Sequence, residues 1–171
     1  MTMEARSVAT FDPRAFRDTL GHFASGITVI TGIDSDGPIG FTCQSFYSVS
    51  MDPPLISFSV MTSSTTYPRI RDEGRFAVNV LSQHQNEISS QFARKGADKW
   101  AGVPQSTTRA GIPVIEDTAM WLDCEIRAEY EAGDHYIVVG EVIEMSPPEW
   151  HRHDPLLFFK GSYRHLRELA G

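Results

Sequence analysis

A regular alternation of apolar and polar residues between Met120 and Tyr130 constrains the fold more than any other feature. Every second residue is apolar, and the residues between are mostly charged. A period of two places alternate side chains on opposite faces of an extended chain. The pattern predicts a long antiparallel strand with a solvent face and a buried face, the latter made of Met120, Leu122, Cys124, Ile126, Ala128 and Tyr130.

Other apolar and β-branched runs predict further strands, separated by turn signals. A turn cluster at residues 34–38 and a Gly-Asp-His turn at 133–135 favour two hairpins. About seven strands with short connections and two or three helices predict a closed or nearly closed antiparallel barrel. We expect a flexible arm at residues 1–10 and one domain over 11–171. The further strands are predicted at residues 27–31, 39–44, 55–61, 75–81, 136–145 and 156–163.

Two helices carry recognisable start signals. Asp12 reads as an N-cap before Pro13, which suits the first helical position. Residues 82–85 resemble a capping box that opens a second helix. The first helix is predicted to end at Gly26, with an apolar stripe of Phe16, Leu20 and Phe23, and the second to present Ile88 and Phe92 on one face.

Charge and cysteine content exclude several classes of protein. A net charge of −7 over 171 residues argues against a broad electrostatic surface for nucleic acid or an anionic membrane. No apolar run is long enough to cross a bilayer, and residues 1–11 lack the pattern of a secretory signal. The two cysteines, Cys43 and Cys124, form no CxxC or zinc-type cluster. Buried thiols in a reducing cytoplasm are the simplest interpretation.

Familiar catalytic and phosphate-binding motifs are absent. The chain has no GxGxxG after a strand, no GxxxxGK[ST], no HExxH and no GxSxG. His151 and His153 form an HxH pair with only Asp154 as a nearby carboxylate, so a solvated loop is favoured over a metal site. We predict no metal ligand.

The densest candidate binding segment spans residues 40–54. A strand rich in small hydroxyl residues leads to a Pro-Pro corner. A flat heteroaromatic ring needs a slot with donors and acceptors along one edge, which backbone amides with Thr42, Gln44 and Ser45 would provide. The alternative is that these hydroxyls only satisfy the backbone of a turn.

Two further segments suit an anionic ligand. Hydroxyls at Ser64 and Thr66 precede a short predicted helix and would bind phosphate, although a simple N-cap explains them equally well. Residues 92–100 place Arg94 and Lys95 beside aromatic residues, which suits a nucleotide phosphate or a stacked ring. Alternatively, these two cations complement the end of a helix.

A fourth feature is His135 in the predicted turn at residues 133–135. A turn histidine is more often structural or exposed than catalytic. Together with Tyr163 and Arg164, it would clamp a nicotinamide ring and a phosphate.

Taken in this order, the segments resemble the flavin reductase family with the FMN-binding split-barrel fold. Its members include reductase components of two-component flavin-dependent monooxygenases. The resemblance runs from residue 11 to residue 164, and it is carried by residues 16–31, 40–54, 75–81, 133–135 and 155–163.

The resemblance implies a mainly β fold, an antiparallel split β-barrel with a few flanking helices. It also implies an NAD(P)H:flavin oxidoreductase that transfers hydride from NADH or NADPH to FMN or FAD. The reduced flavin would serve a partner oxygenase, and the chain would be a cytoplasmic homodimer. Competing interpretations are a pyridoxamine-phosphate-type oxidase, which would need a basic pocket such as Arg69, Arg71 and Arg75, a non-catalytic flavin carrier, and a small-ligand barrel without flavin.

The resemblance also assigns site residues. His135 is the catalytic candidate, positioning nicotinamide rather than exchanging a proton, and fixed donors near residues 42–45 would stabilise charge developing on the flavin. The cofactor-binding candidates are Thr42, Cys43, Gln44 and Ser45 at the ring edge, Ser50 in the same segment, Ser59, Val60 and Met61 along a strand, Ser64 and Thr66 at the phosphate, Phe92, Asp98 and Lys99 over the ribityl or nucleotide end, and Tyr163 and Arg164 near the pyridine nucleotide.

Overall fold

Strands dominate the chain, and helices are few. The computed structural model describes residues 11–96 and 98–167, so the predicted arm at residues 1–10 lies outside the described residues. The helices are α1 (Pro13–Leu20), α2 (Tyr67–Glu73), α3 (Asn86–Ala93) and a 3-10 turn (Pro148–Trp150). The strands are β1 (Ser25–Gly26), β2 (Thr28–Asp34), β3 (Gly37–Cys43), β4 (Tyr47–Met51), β5 (Pro54–Met61), β6 (Arg75–Val80), β7 (Gln105–Thr107), β8 (Pro113–Ile115), β9 (Met120–Ala132), β10 (His135–Met145), β11 (Leu157–Phe159) and β12 (Ser162–Arg164).

Seven strands form the main sheet in the order β3-β2-β6-β9-β10-β5-β4. A small sheet β1-β11-β12 and the pair β7-β8 pack beside it. All strand pairings in the described chain are antiparallel. The prediction of a mainly antiparallel β fold with few helices is confirmed. Within the described chain, no helix is long and apolar enough to span a bilayer.

Side-chain hydrogen bonds link the first strand of the main sheet to the opposite end of that sheet. The hydroxyl of Ser45, just after β3, donates to the carbonyl of Ser59 on β5 at 3.0 Å. It also accepts from the Ser59 amide at 2.7 Å. The sheet therefore curls around an apolar core that includes Ile30, Phe58 and Phe76.

Turn chemistry fixes the two predicted hairpins. At the β2–β3 turn, the Asp34 carboxylate accepts from the Asp36 amide at 2.9 Å, and Gly37 adopts a φ of +115° that side chains disfavour. Gly133 at the β9–β10 turn has a φ of +66°. Both hairpin predictions are confirmed.

The second face of β9 differs from the prediction. Trp121 and Asp123 were expected in solvent, yet they are 6% and 0% exposed. Trp121 packs with Val114 of β8 and with Trp150, and Asp123 pairs with Arg75 through bonds of 2.8 and 3.1 Å. Long-range packing therefore buries polar-face positions, whereas Tyr130 at the far end is exposed.

The predicted strand at residues 156–163 is wrong as a single element. Lys160 and Gly161 adopt left-handed φ values of 50° and 72°, which reverse the chain. The segment therefore forms the hairpin β11–β12.

Helix α1 begins as predicted and ends early. The Asp12 carboxylate caps it by accepting from the Ala15 amide at 2.8 Å. The helix stops at Leu20 rather than near Gly26. No residue of α1 is buried in the single chain, and the apolar stripe lies on the surface.

Helix α3 packs tightly on β3 and forms one wall of the site described below. Only half of the predicted capping box forms, because the Gln85 side chain accepts from the Ser82 amide at 2.9 Å and the helix begins at Asn86. Phe92 is fully buried against Gly40. A Cβ at Gly40 would lie 2.9 Å from the Phe92 ring, so glycine permits this approach.

Candidate active site

A cleft of about 490 Å³ opens where the curled sheet meets α3. Its walls come from the end of β3 and the residues after it, the end of β5, the loop at residues 62–66, α3 with the following loop, and the start of β10. It brings together twelve of the predicted site residues: Thr42, Cys43, Gln44, Ser45, Ser59, Val60, Met61, Ser64, Thr66, Phe92, Lys99 and His135.

The wall at residues 42–45 offers backbone donors rather than free hydroxyl protons. The Thr42 hydroxyl donates to the Ser89 carbonyl of α3 at 2.6 Å, and the Ser45 hydroxyl bridges to β5. The alternative that these hydroxyls satisfy backbone groups therefore describes their contacts. Among the described residues, the backbone N–H group of Gln44 has no acceptor, and that of Ser45 meets only the Cys43 sulfur. They are the donors that a ligand ring edge can use.

Cys43 contributes a neutral, enclosed thiol. Its sulfur lies 3.2 Å from the Ser45 hydroxyl and 3.6 Å from the Ser59 carbonyl. Burial raises the pKa of the Cys43 thiol above its ordinary value. Because the thiolate is the reactive form, Cys43 does not act as a nucleophile here.

The loop at residues 62–66 presents several unpaired amides. The Ser64 hydroxyl accepts from the Tyr67 amide, the first of α2, at 3.1 Å, whereas Thr66, the N-cap residue, makes no side-chain capping bond. In the part of the chain that the structure describes, the N–H groups of Ser63, Thr65 and Thr66 have no acceptor. A run of free amides of this kind makes a concave anion site.

Three basic side chains, Arg94, Lys95 and Lys99, also line the cleft, and Lys99 shares a smaller cavity with Thr66 of the loop. None of them forms an ion pair with a described carboxylate. The Lys99 ammonium donates to the Gly40 carbonyl at 3.0 Å, and burial lowers the pKa of Lys99. A partly buried cation without a counter-ion favours an anionic ligand.

His135, the first residue of β10, pairs with Met61 and so lies beside the start of the 62–66 loop. Its Nδ1 lies 2.6 Å from the Asp134 carboxylate, and this hydrogen bond lowers the pKa of Asp134. The Asp134 carbonyl accepts from the amide and hydroxyl of Thr62 at 2.9 and 3.2 Å, which anchors the turn. With Nδ1 held by the carboxylate, Nε2 is available to a ligand.

Four predicted site residues lie outside the cleft. Ser50 is on β4, and Asp98 lines a smaller cavity. The Tyr163 hydroxyl donates to the Ser89 hydroxyl at 3.0 Å and lies 3.1 Å from the Ser90 hydroxyl, so it reaches the cleft wall only through α3. Arg164 is exposed and bonds to the Tyr163 carbonyl. Neither Tyr163 nor Arg164 lines the cleft beside His135.

A second cavity of about 600 Å³ adjoins the cleft, and Gln44 lines both. It lies between α1 and the β11–β12 hairpin. Its basic side chains are Arg17, His22 and Lys160, and its aromatic ones include Phe23 and Phe158. Sequence reasoning assigned none of these residues a role, although both segments carry the resemblance. No local signal marked these residues, because the turn at residues 160–161 lies within a segment that the sequence predicts as one strand.

The two histidines of the HxH pair, His151 and His153, contact different partners. His151 Nε2 lies 2.9 Å from the Ser146 hydroxyl, and the His153 ring packs edge-to-face on His84 with centroids 6.1 Å apart. In residues 11–96 and 98–167, no three His, Cys, Asp or Glu side chains cluster as metal ligands would.

Several known proteins are similar to this chain. Residues 20–167 match a family model described as flavin reductase like domain. HsaB, the reductase subunit of a flavin-dependent monooxygenase from Mycobacterium tuberculosis, is 41% identical over 155 residues, covering 91% of this chain and 83% of HsaB. SmoA, an FMN reductase (NADH) from Agrobacterium fabrum, is 40% identical over 151 residues, covering 88% and 84%. The structure of SgcE6, an NADH:FAD oxidoreductase from Streptomyces globisporus, in complex with NAD and FAD fragments, superposes with a TM-score of 0.87 at 33% identity, covering 96% of this chain and 100% of SgcE6.

Proposed function

This chain belongs to the flavin reductase-like family, and from that premise we propose that it is an NAD(P)H:flavin oxidoreductase. It transfers hydride from NADH or NADPH to FMN or FAD, and the reduced flavin supplies a partner monooxygenase. HsaB and SmoA, whose names state a reductase role, support this proposal over most of the chain length.

The observation that carries the proposal is the distribution of donors in the cleft. The free backbone N–H group of Gln44 and the weakly bonded one of Ser45 lie in one wall. Free amides of the 62–66 loop and the side chains of Arg94, Lys95 and Lys99 also line the cleft. A flavin mononucleotide has acceptors on one edge of its ring system and a phosphate at the end of its side chain, so it matches both sets of donors. The cleft volume is within the range of small-ligand sites, roughly 300–1,000 Å³.

The chemistry belongs to the two ligands, and the chain positions them. Bound together, the two ligands would supply the redox chemistry, in which the flavin would take up a hydride from the nicotinamide and a proton from solvent. The amides of Gln44 and Ser45 stabilise negative charge developing on the flavin edge, because they are fixed before the reaction. His135 is oriented by Asp134 and directs Nε2 toward the nicotinamide. This contact holds the nicotinamide against the flavin ring.

The adjoining cavity suits the rest of the pyridine nucleotide. It shares Gln44 with the cleft, so a ligand can extend from one into the other. Arg17 and Lys160 supply positive charge for phosphates, and Phe23 and Phe158 supply apolar surface. In this arrangement Tyr163 supports α3 rather than contacting the nucleotide.

The pyridoxamine-phosphate-type oxidase receives no support from the proposed basic residues. Arg69 and Arg75 are each held by two hydrogen bonds to an aspartate, and Arg71 lies near Glu129 and Asp72. Arginines committed in this way do not form a pocket for a substrate phosphate.

The direct test of the proposal is NADH consumption under air with riboflavin, FMN and FAD as acceptors. We expect flavin-dependent turnover with at least one of them. A protein that binds flavin without oxidising NADH or NADPH would instead be a flavin carrier, and one that binds no flavin would be a different small-ligand protein.

A matched pair of histidine variants tests the role of His135. The variant His135→Ala is expected to raise the KM for NADH about tenfold, the effect of losing one positioning contact, while flavin affinity stays nearly unchanged. His84→Ala is the control, because His84 is exposed and lines neither cavity. If the NADH kinetics of both variants equal those of the wild type, His135 does not position the nicotinamide.

Surface apolar residues support the proposal of a homodimer. Phe16 and Leu20 of α1 and Phe23 just after it are exposed, as are Tyr47 and Met51 of β4. Apolar surfaces of this kind on a small chain are typical of an interface. Light scattering after size-exclusion chromatography should give twice the chain mass of 19.1 kDa, and a monomer would contradict the proposal.

The proposed enzyme is a single-domain split barrel of the reducing cytoplasm. The curled sheet, linked through Ser45 and Ser59, is consistent with the split barrel of the family. Residues 11–171 are proposed to form one domain. The free, buried thiols of Cys43 and Cys124 are consistent with the reducing cytoplasm, where we place the enzyme.

A further inference from the structure

The first residue of α2 connects the loop at residues 62–66 to the apolar core. The Tyr67 amide donates to the Ser64 hydroxyl at 3.1 Å, which ties the loop to the start of the helix. The Tyr67 ring is 1% exposed and packs edge-to-face on Phe58 and at a tilt on Tyr136, with centroids 6.2 Å apart in both contacts. A buried side chain that does not line the cleft therefore fixes one end of the loop.

A hydrogen bond to β9 fixes the direction of that ring. The Tyr67 hydroxyl donates to the Glu129 carboxylate at 2.5 Å. Burial and, after it, this contact raise the pKa of Tyr67, so the hydroxyl stays protonated and remains a donor. The second oxygen of Glu129 lies 4.0 Å from the Arg71 guanidinium, and a quarter of the Glu129 side chain is exposed. The contact therefore joins α2 to β9 without placing an unpaired charge in the core.

The β9–β10 hairpin consequently holds both ends of the loop. At the first end, the amide and the hydroxyl of Thr62 donate to the Asp134 carbonyl at 2.9 and 3.2 Å. Between the two anchors, the Ser64 amide bonds to the Met61 carbonyl at 2.9 Å. The remaining loop amides depend on the anchors for their positions, and an anion gains most from donors that are fixed before it binds.

We propose that Tyr67 and Glu129 are positioning residues for this loop, and that their hydrogen bond sets the preference of this chain for phosphorylated flavins over riboflavin. Both residues act through the loop amides, because neither lines the cleft. Riboflavin has the ring system and side chain of FMN without the phosphate, so it reports on the rest of the site. The inference rests on the proposed flavin site and adds a determinant of its selectivity.

Calorimetric titration of the full chain with oxidised FMN and with riboflavin tests the inference. Tyr67→Phe keeps the buried ring and removes the hydroxyl. We expect FMN binding to weaken about tenfold and riboflavin binding to change by less than about twofold. The ratio of the two affinities is the readout, because general loosening of the cleft would weaken both flavins.

Matched variants separate the hydrogen bond from the surrounding packing. Tyr136→Phe is the control, because it removes a hydroxyl from the ring packed on Tyr67, and that hydroxyl bonds to no described residue; it should keep the affinity ratio. Glu129→Leu removes the acceptor and should lower the ratio as Tyr67→Phe does. Glu129→Gln retains an oxygen that accepts from Tyr67 and should preserve the ratio. Riboflavin binding shows that each variant is folded.

Distinct results overturn the two levels of the proposal. The positioning role is overturned if the wild type binds FMN and riboflavin equally, or if Tyr67→Phe and Glu129→Leu keep the wild-type ratio. An equal loss for both flavins, or the same loss in Glu129→Gln as in Glu129→Leu, also overturns it, and each of these results leaves a flavin reductase. Absence of NADH or NADPH oxidation with every flavin would overturn the proposed function, whatever the affinity ratio is.

Discussion

Replacing Gly40 by alanine places a methyl group where β2 and α3 leave no room. The added carbon would lie 2.9 Å from the Ile30 carbonyl oxygen and 2.9 Å from the Phe92 ring. Neither neighbour moves freely, because the oxygen belongs to the paired strand and Phe92 is fully buried. Overpacking of this kind destabilises the folded state by about 1–3 kcal/mol. For a chain of this length, each kcal/mol lowers Tm by roughly 2–4 °C.

The same substitution should also weaken flavin binding. Phe92 lines the cleft, and the Gly40 carbonyl accepts from Lys99, so a shift of β3 disturbs both. Scanning calorimetry gives the Tm, and titration with FMN gives the affinity. Gly26→Ala is the matched control, because its added carbon meets nothing within 4 Å and its φ is not positive.

A double variant identifies the clash. In the double variant Gly40→Ala with Phe92→Leu, the smaller side chain relieves the contact. The loss of unfolding free energy in the double variant should therefore be smaller than the sum of the two single losses, by about 0.5–3 kcal/mol. If Gly40→Ala has the same Tm as the Gly26→Ala control and binds FMN with wild-type affinity, the proposed packing of α3 on β3 is wrong.

Three other substitutions test the structure at separate points. Ser45→Ala removes both hydrogen bonds to β5, each worth about 0.5–1.5 kcal/mol, so the Tm and the FMN affinity should both fall. If neither the Tm nor the FMN affinity changes, Ser45 does not bridge the two strands. Arg75→Met leaves the buried Asp123 carboxylate unpaired and should lower the free energy of unfolding in urea by about 3–5 kcal/mol, whereas wild-type stability would contradict the ion pair. His135→Ala should raise the pKa of Asp134 toward about 3.9, measured by carboxyl carbon NMR titration. Because the folded-state pKa of Asp134 is depressed, the stabilisation from this contact is present above about pH 4 and lost as pH falls through that pKa. If Asp134 titrates in the variant as it does in the wild type, the hydrogen bond to His135 is refuted.

Local patterns predicted the elements whose shape depends on neighbouring residues. The hairpin around Gly37 and the cap at Asp12 follow from short-range backbone chemistry, and both occur. The buried second face of β9 was not predictable in this way, because Trp121 is covered by segments distant in sequence. The turn at Lys160 was missed because a non-glycine residue with positive φ is uncommon.

The candidate site was also predicted in part, and the remainder depends on tertiary packing. The family resemblance grouped residues 42–45 with residues 59–61, and the two segments meet in one cleft. The sequence left open whether the hydroxyls of Thr42 and Ser45 meet a ligand or satisfy backbone groups, and tertiary packing decides the matter, because α3 and β5 occupy both hydroxyls. It placed Tyr163 beside the nucleotide, whereas its hydroxyl bonds to α3, a contact that depends on tertiary packing. The cavity between α1 and the β11–β12 hairpin, with Lys160, required the structure.

The position of Ser89 has a consequence for the order of catalytic events. Its carbonyl holds Thr42 and its hydroxyl holds Tyr163, so one turn of α3 serves the flavin wall and the C-terminal hairpin together. If a pyridine nucleotide binds at that hairpin as proposed, its effect on the hairpin would reach the flavin wall through Ser89, and linkage would make the effect equal in the reverse direction. Departure of the oxidised nucleotide would then coincide with a change in the hold on reduced flavin.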